Sequence, residues 1–251
     1  MILCLTYHRI SRDASSQGDD FYTVTAKQLE DQVGMILSAG FAPIDYDALA
    51  SGRAAEGKTF MLTFDDGTID HCEIAWPILE AKKIRGVFFV PTAWIGREGY
   101  VNETQVRRMS DSGQVIGCHS HEHKRMDTMV EPEMRNQLST ACENLNRITG
   151  KRPWIFAPPG GYVNPLLQST ALSVQLKTIR TMRWGFNRQL DSTAMETLPL
   201  NRHTSEAAFK KILQGKHPKL LYLTKQFIKR LIPSSIYHGL RGRLLQLSHG
   251  R

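Results

Sequence analysis

The chain has 251 residues, 41% of them apolar and 22% charged, and a net charge of +8. This length and balance suit a soluble globular protein with one core of ordinary enzyme size, and they exclude a disordered or fibrous chain. No apolar run reaches the roughly eighteen residues that a membrane-spanning helix needs.

Met1 to Thr6 reads as a buried first strand, from whose end Tyr7 and His8 emerge. Ser11 to Tyr22 is polar and reads as a loop. Thr25 caps a helix running through Ser38, with Leu29, Val33, Ile36 and Leu37 on one face and Gly40 as its stop. Phe41 to Ile44 reads as a short strand, Asp45 to Ser51 as a short helix, and Ser51 to Lys58 as a linker rich in Gly and Ala. Phe60 to Thr63 is the next strand. Ile69 to Lys83 reads as a helix with Ile74, Ile78 and Leu79 inward. Val87 to Val90 is a strongly apolar strand closed by Pro91-Thr92. Gly96 to Tyr100 reads as a loop bordering a groove; Trp94 and Tyr100 are candidates for stacking on a ligand or for plain packing. Asn102 to Asp111 is helical, and Gln114 to Gly117 is a strand. Pro132 opens a helix with Met134, Leu138, Leu145 and Ile148 at helical spacing, ended by Thr149-Gly150. Trp154 to Ala157 is a strand, and Asn164-Pro165 opens a helix through Ser173. Lys177 to Thr181 is a strand followed by a loop, Leu198 to Leu200 a short strand, and Ser205 to Leu213 a helix. Strands alternating with helices predict an α/β fold, a parallel sheet wrapped in helices.

Two stretches carry chemistry. Thr63-Phe64-Asp65-Asp66-Gly67 puts two adjacent carboxylates at the end of a strand, where α/β folds place their sites. Neighbouring acids repel in a partly buried site. A cation resolves the conflict, one Asp binding it and the other free to take a proton. The same residues also fit an ordinary Asp-Asp-Gly turn. Cys118-His119-Ser120-His121-Glu122-His123 holds three of the chain's nine histidines just after a strand. Two imidazoles and one carboxylate make a zinc-type donor set with positions left open for water. A solvated polar loop is the alternative.

Thr-Phe-Asp-Asp-Gly followed about fifty residues later by His-Ser-x-x-His resembles the first two motifs of the NodB-type polysaccharide deacetylases, carbohydrate esterase family 4. Leu5-Thr6-Tyr7-His8-Arg9-Ile10 and Phe156-Ala157-Pro158-Pro159-Gly160-Gly161 are similar to the same family, so the resemblance covers residues 1–210. It implies a distorted (β/α) barrel of seven or eight mostly parallel strands whose ends gather the ligands. It also implies Asp66, His119 and His123 as holders of a divalent metal, zinc in most relatives, with cobalt as a second candidate. Asp65 is then the general base on a water at that cation. His121, two residues from each ligand, points away. The backbone amide at Gly160, where family members carry Tyr, is the implied oxyanion donor, with Gly161 and Tyr162 compensating in shape. Ala157 replaces the arginine that orients the base in one branch, as in the branch of poly-N-acetylglucosamine deacetylases. The last two motifs are poorly matched. Arg183-Trp184-Gly185 is the candidate pocket lining, with Trp184 facing substrate. Leu198-Pro199-Leu200-Asn201-Arg202-His203 is the nearest match to the final motif, which makes His203 a candidate general acid or else an exposed histidine after a strand. Arg202 is a candidate partner for Asp65, and His8 a candidate pocket residue.

The chain divides into residues 1–215, the deacetylase-like domain, and residues 216–251, a basic tail. Ten of the 32 Lys and Arg follow Glu206, the last acidic residue; the other 22 face 24 Asp and Glu, so residues 1–206 carry −2. In the tail Leu220, Leu223, Phe227, Ile228 and Leu231 share one helical face, with Lys225, Lys229 and Arg230 opposite, and a second such segment runs from Ile236 to Leu247. Basic amphipathic helices lie on anionic membranes, and packing against the barrel is the alternative. Nucleic-acid binding is not expected, because aromatic interleaving is sparse. Cys4, Cys72, Cys118 and Cys142 form no close pair, which suits a reducing compartment. Met1 to Tyr7 is short and lacks the basic lead of a secretory signal, so the expected location is cytoplasmic, peripheral at the inner face of the membrane. The implied function is metal-dependent removal of acetyl groups from N-acetylated sugars in a polysaccharide or lipid-linked glycan, as in exopolysaccharide biosynthesis. The alternatives are hydrolysis of a non-sugar amide and an inactive glycan-binding protein. A spare carboxylate at Asp65 speaks for catalysis.

Overall fold

The structure, a computed structural model, describes residues 1–15, 21–53 and 57–216. β1 (Ile2–Tyr7) is buried at every position. β2 (Arg9–Ser11) and β3 (Thr23–Thr25) pair in parallel as a separate ribbon. α1 (Ala26–Ser38) starts on a reciprocal cap. The Thr25 hydroxyl accepts from the Gln28 amide at 3.1 Å, and the Gln28 side chain accepts from the Thr25 amide at 2.8 Å. α1 buries Leu29, Val33 and Ile36, but Leu37 is 41% exposed. Adjacent helical residues lie about 100° apart, so Leu37 cannot follow Ile36 inward.

β4 (Ala42–Pro43) and α2 (Tyr46–Ala50), capped by Asp45, lead to β5 (Thr59–Phe64). A π-helical turn, His71–Ala75, precedes α3 (Trp76–Ala81), so the single helix expected over Ile69 to Lys83 is two pieces. Pro77 has no amide hydrogen to give and sits in the first turn of α3, where none is needed. Then come β6 (Val87–Val90), α4 (Glu103–Asp111), β7 (Val115–Cys118), α5 (Glu131–Thr149), β8 (Ile155–Phe156) and α6 (Pro165–Ser173). β9 (Thr178–Trp184), β10 (Met195–Pro199) and α7 (Glu206–Leu213) complete the described order. β9 runs through Arg183-Trp184 instead of ending at Thr181.

The strands close into a ring. Neighbours run β1-β10-β9-β8-β7-β6-β5, and β5 pairs back onto β1 from Ile2↔Thr59 to Tyr7↔Phe64. Every pairing in the ring is parallel, and β4 adds to the start of β5. The expected barrel is therefore present, with seven strands in its ring. Alternation along each strand divides the core. Cys4, Met61, Phe89, Val115, Ile155 and Met195 pack together inside. Leu5, Tyr7, Leu62, Phe64 and Phe88 pack outward beneath the helices. Gly117 on β7 makes room within: a Cβ there would meet the Phe89 ring at 2.5 Å. Toward the strand ends the interior turns polar. The hydroxyls of Thr63 and Thr197 lie 2.9 and 2.8 Å from that of Thr6, and all three residues are buried. Each thus has the partner that burial demands.

Residues 1–215 form one compact unit. Among the described residues no helix is long and apolar enough to cross a membrane. The expected basic amphipathic helices fall on residues 217–251, outside the described residues.

Candidate metal centre

β5 ends at Phe64, and alternation turns Asp65 inward above Thr63, its amide donating to the Tyr7 carbonyl at 2.9 Å. Asp66 then takes a φ of 82°, which breaks the alternation and sets the two carboxylates on different paths. In the loop after β7, Ser120 and His123 adopt the same left-handed region, at φ 62° and 58°. Such a conformation costs a residue other than glycine about 1–3 kcal/mol, and three of them gather here. The Ser120 hydroxyl accepts from the His123 amide at 3.1 Å and braces the loop.

Asp66 Oδ1 lies 3.3 Å from His119 Nε2 and 3.0 Å from His123 Nε2. One donor atom from each of the three residues falls within 4.8 Å of the others. His119 Nδ1 stands 2.6 Å from the Ala157 carbonyl. A carbonyl only accepts, so Nδ1 donates to it, and Nε2 is the ring nitrogen left facing the Asp66 carboxylate. Lone pairs converging on one point repel unless a proton or a cation lies among them. Two imidazole nitrogens and a carboxylate suit a divalent transition metal, so these residues fit the metal that the resemblance implies. Burial opposes ionisation of Asp66, yet its pairing with His119 and His123 holds its carboxyl well below the usual range. His121 stays out of the cluster, with Nδ1 at 2.8 Å from the Thr92 hydroxyl.

Asp65 has a different partner. It is ion-paired with Arg180 of β9, the side chains being 5% and 0% exposed. Arg180 also lies over the Phe89 ring at 5.0 Å and reaches Met182 Sδ at 3.1 Å, while its Nε finds no partner. The guanidinium beside Asp65 is thus that of Arg180, whereas the sequence pointed to Arg202. Arg202 sits in the turn after β10, its amide donating to the Phe21 carbonyl at 3.3 Å. A signal for Arg180 was present. An arginine at mid-strand, in a strand covered on both faces, requires an acidic partner.

His8 follows β1 with its ring tilted over Tyr22 at 4.8 Å and its Nδ1 buried without a partner. Burial holds its pKa below the ordinary value. His203 is exposed, its ring 5.7 Å from Phe21. Phe21 in turn meets Tyr22, so the two histidines bracket one aromatic row. After β8, Gly160 and Gly161 take φ values of 72° and 73°. A Cβ on Gly161 would overlap Met182 at 2.2 Å, so no side chain fits there. The Gly161 amide donates to the Pro158 carbonyl at 2.8 Å, leaving the Gly160 amide as the candidate oxyanion donor. Tyr162 packs beside Gly160. Trp184 lies half-buried against the outer core cluster.

The model of the Polysaccharide deacetylase family matches residues 52–179, a span that takes in Asp65, Asp66, His119, His123 and Gly160. Peptidoglycan-N-acetylmuramic acid deacetylase PdaA of Bacillus subtilis (strain 168) is 28% identical over 181 residues, 71% of this chain and 63% of that protein. Peptidoglycan-N-acetylglucosamine deacetylase of Bacillus cereus is 33% identical over 105 residues, 41% of this chain and 36% of that protein. The chain spans less than two thirds of the length of these relatives. The structure of the Streptococcus pyogenes deacetylase PplD in complex with acetate matches with a TM-score of 0.74 at 20% identity, over 86% of this chain and 98% of that one. That likeness shows the shared fold.

Proposed function

The chain belongs to the polysaccharide deacetylase family, and from that premise we propose that it hydrolyses the acetamide of an N-acetylated sugar in a polysaccharide or lipid-linked glycan. The observation that carries this reading is the convergence of Asp66, His119 and His123 beside a separate, ion-paired Asp65. The names of the two Bacillus relatives, deacetylases of peptidoglycan sugars, support an N-acetylated glycan as substrate. A divalent metal held by those three residues, zinc by the chemistry of its donors or else cobalt, would polarise the acyl oxygen and acidify water there.

Asp65 takes the proton of the attacking water. Arg180 holds that carboxylate in place, so proton acceptance needs no rearrangement. The Gly160 amide donates to the oxyanion as the carbonyl carbon becomes tetrahedral. The departing nitrogen needs a proton, and we assign its delivery to His8. His8 directly follows Tyr7, whose carbonyl accepts from the Asp65 amide, and its Nδ1 has no partner in the protein, whereas His203 is exposed. The eight cationic residues of the tail support a peripheral position on an anionic membrane at its cytoplasmic face, where a lipid-linked glycan would be presented.

The test is acetate release from chitooligosaccharides and peptidoglycan fragments. Release should vanish on chelation and return with zinc or cobalt. No acetate from any N-acetylated sugar by the metal-loaded protein would sink the proposal. In the same assay His8→Ala should cost more than His203→Ala, and the reverse order reassigns the proton donor.

A further inference from the structure

A glutamine sits on the buried face of α5, where helical spacing sets Met134, Leu138 and Ala141 alongside it. Gln137 is 8% exposed, so its amide needs partners within the protein. It finds them on a single residue of the loop after β7. The Glu122 amide donates to Gln137 Oε1 at 2.9 Å, and Gln137 Nε2 donates to Glu122 Oε2 at 2.7 Å. Glu122 stands between His121 and His123. α5 therefore grips both the backbone and the side chain of a residue next to a candidate ligand.

The grip acts where the loop is strained. Ser120 and His123 take φ values of 62° and 58°, which residues other than glycine rarely adopt. Such backbone persists only where its surroundings fix it. Within the loop, the Ser120 hydroxyl accepts from the His123 amide at 3.1 Å. From the turn after β6, the Ala93 amide donates to the His121 carbonyl at 2.9 Å. Gln137 supplies the hold from the helix side. Met126, 1% exposed, buries the far end of the loop in the cluster that contains Met134 and Leu138. Lys124 also meets the Glu122 carboxylate, at 2.8 Å, but that contact is exposed and adds little.

The two candidate imidazoles are held differently. His119 is one residue past β7, with its ring on the Ala157 carbonyl at 2.6 Å. His123 has no strand directly before it, and the 3.0 Å approach of its Nε2 to Asp66 depends on the backbone of residues 122 and 123. We propose that Gln137 is a positioning residue of the metal centre: by gripping Glu122 it presets the His123 imidazole and so tightens the binding of a divalent cation. A preset ligand has less freedom to lose when the ion arrives, and that saving appears as affinity. This inference rests on the metal-centre reading above.

Zinc alone is the probe, and competition with a chromophoric chelator reads its dissociation constant without any substrate. Thermal melting of the metal-free proteins checks that each variant folds. Gln137→Met keeps the length and burial of the side chain and should weaken zinc binding about 10- to 100-fold. Gln137→Glu still accepts from the Glu122 amide but sets two carboxylates against each other, so it should weaken binding at least as much. Exchanging the pair, Gln137→Glu together with Glu122→Gln, rebuilds both bonds with the side-chain donor and acceptor reversed. It should return the constant to within about threefold of the parent's, a coupling that two independent sites would not show. The exchange carries the test if a single variant fails to fold. Zinc affinity untouched by Gln137→Met and Gln137→Glu, or as weak in the exchange as in Gln137→Glu alone, overturns this inference alone. No zinc bound by the parent chain overturns the reading of the centre as well.

Discussion

On the β5–β7 side of the barrel, the candidate ligands stand just beyond strand ends. Asp66 is two residues past β5, His119 one past β7, and His123 follows in the same loop. Left-handed backbone at Asp66 and His123 and bonds from nearby loop residues hold them. On the β9 side, Arg180 sits within a strand and meets Asp65 across 115 residues of chain. Its placement depends on a pairing of opposite charges with almost no exposure to water. The first arrangement is local and strained, the second distant and desolvated. They fail differently: the ligand side should lose its metal without losing the fold, whereas the β9 side should lose stability along with rate.

The largest expected effect separates the two adjacent carboxylates. Asp66→Ala should abolish metal binding and activity together. Asp65→Asn should retain the metal and lose about 10²–10⁴-fold in rate. Metal analysis after dialysis, alongside acetate release, checks this, and equal metal loss in both variants would erase the distinction. Next comes the buried pair. Arg180→Met leaves the Asp65 carboxylate enclosed without a partner and should cost about 3–5 kcal/mol in urea denaturation. It should also slow the reaction about 10- to 100-fold, as the loss of a positioning contact does. Adding Asp65→Asn to Arg180→Met should recover much of that stability, and no recovery would show that packing, not charge, set the cost.

The smallest effect concerns the barrel body that both sides share. Burial pushes the Cys4 thiol up to about 11 and raises the Tyr7 and Tyr46 phenols above their usual range. Folded values above unfolded ones mean stability that is whole below the unfolded pKa and lost as pH rises. With unfolded values of 9.0 for the thiol and 10.0 for the phenols, the melting temperature should begin to fall above pH 9. Stability should fall more steeply above pH 10, by about 1.4 kcal/mol per pH unit for each group. Tyr7 donates to Gln32 at 2.8 Å, so Tyr7→Phe should lower stability at neutral pH but flatten the alkaline decline. An undiminished decline in that variant would locate the sensitivity elsewhere.

Much of the ligand side was legible in the sequence, because its parts lie within short stretches. Local spacing placed Asp65-Asp66 after one strand and His119 to His123 after another. The cap at Thr25 and the stop at Gly150 were equally local. The strand around Arg180 was also visible, but its length and the partner of that arginine were not. Nothing in residues 177–181 says which carboxylate the guanidinium meets. His8 and His203 show the same limit. Both follow strands, yet the Nδ1 of one is buried and the other residue is exposed.

The sequence by itself therefore determined the alternation of strands and helices, the ligand stretches and the cationic tail. Each of these depends on neighbouring backbone angles and the spacing of side chains. Only the tertiary structure decided that the ring closes with seven strands, that Arg180 meets Asp65, and that His8 is half-buried where His203 is exposed. These outcomes depend on ring closure, because β1 pairs with both β5 and β10 and so brings together residues that no local pattern relates.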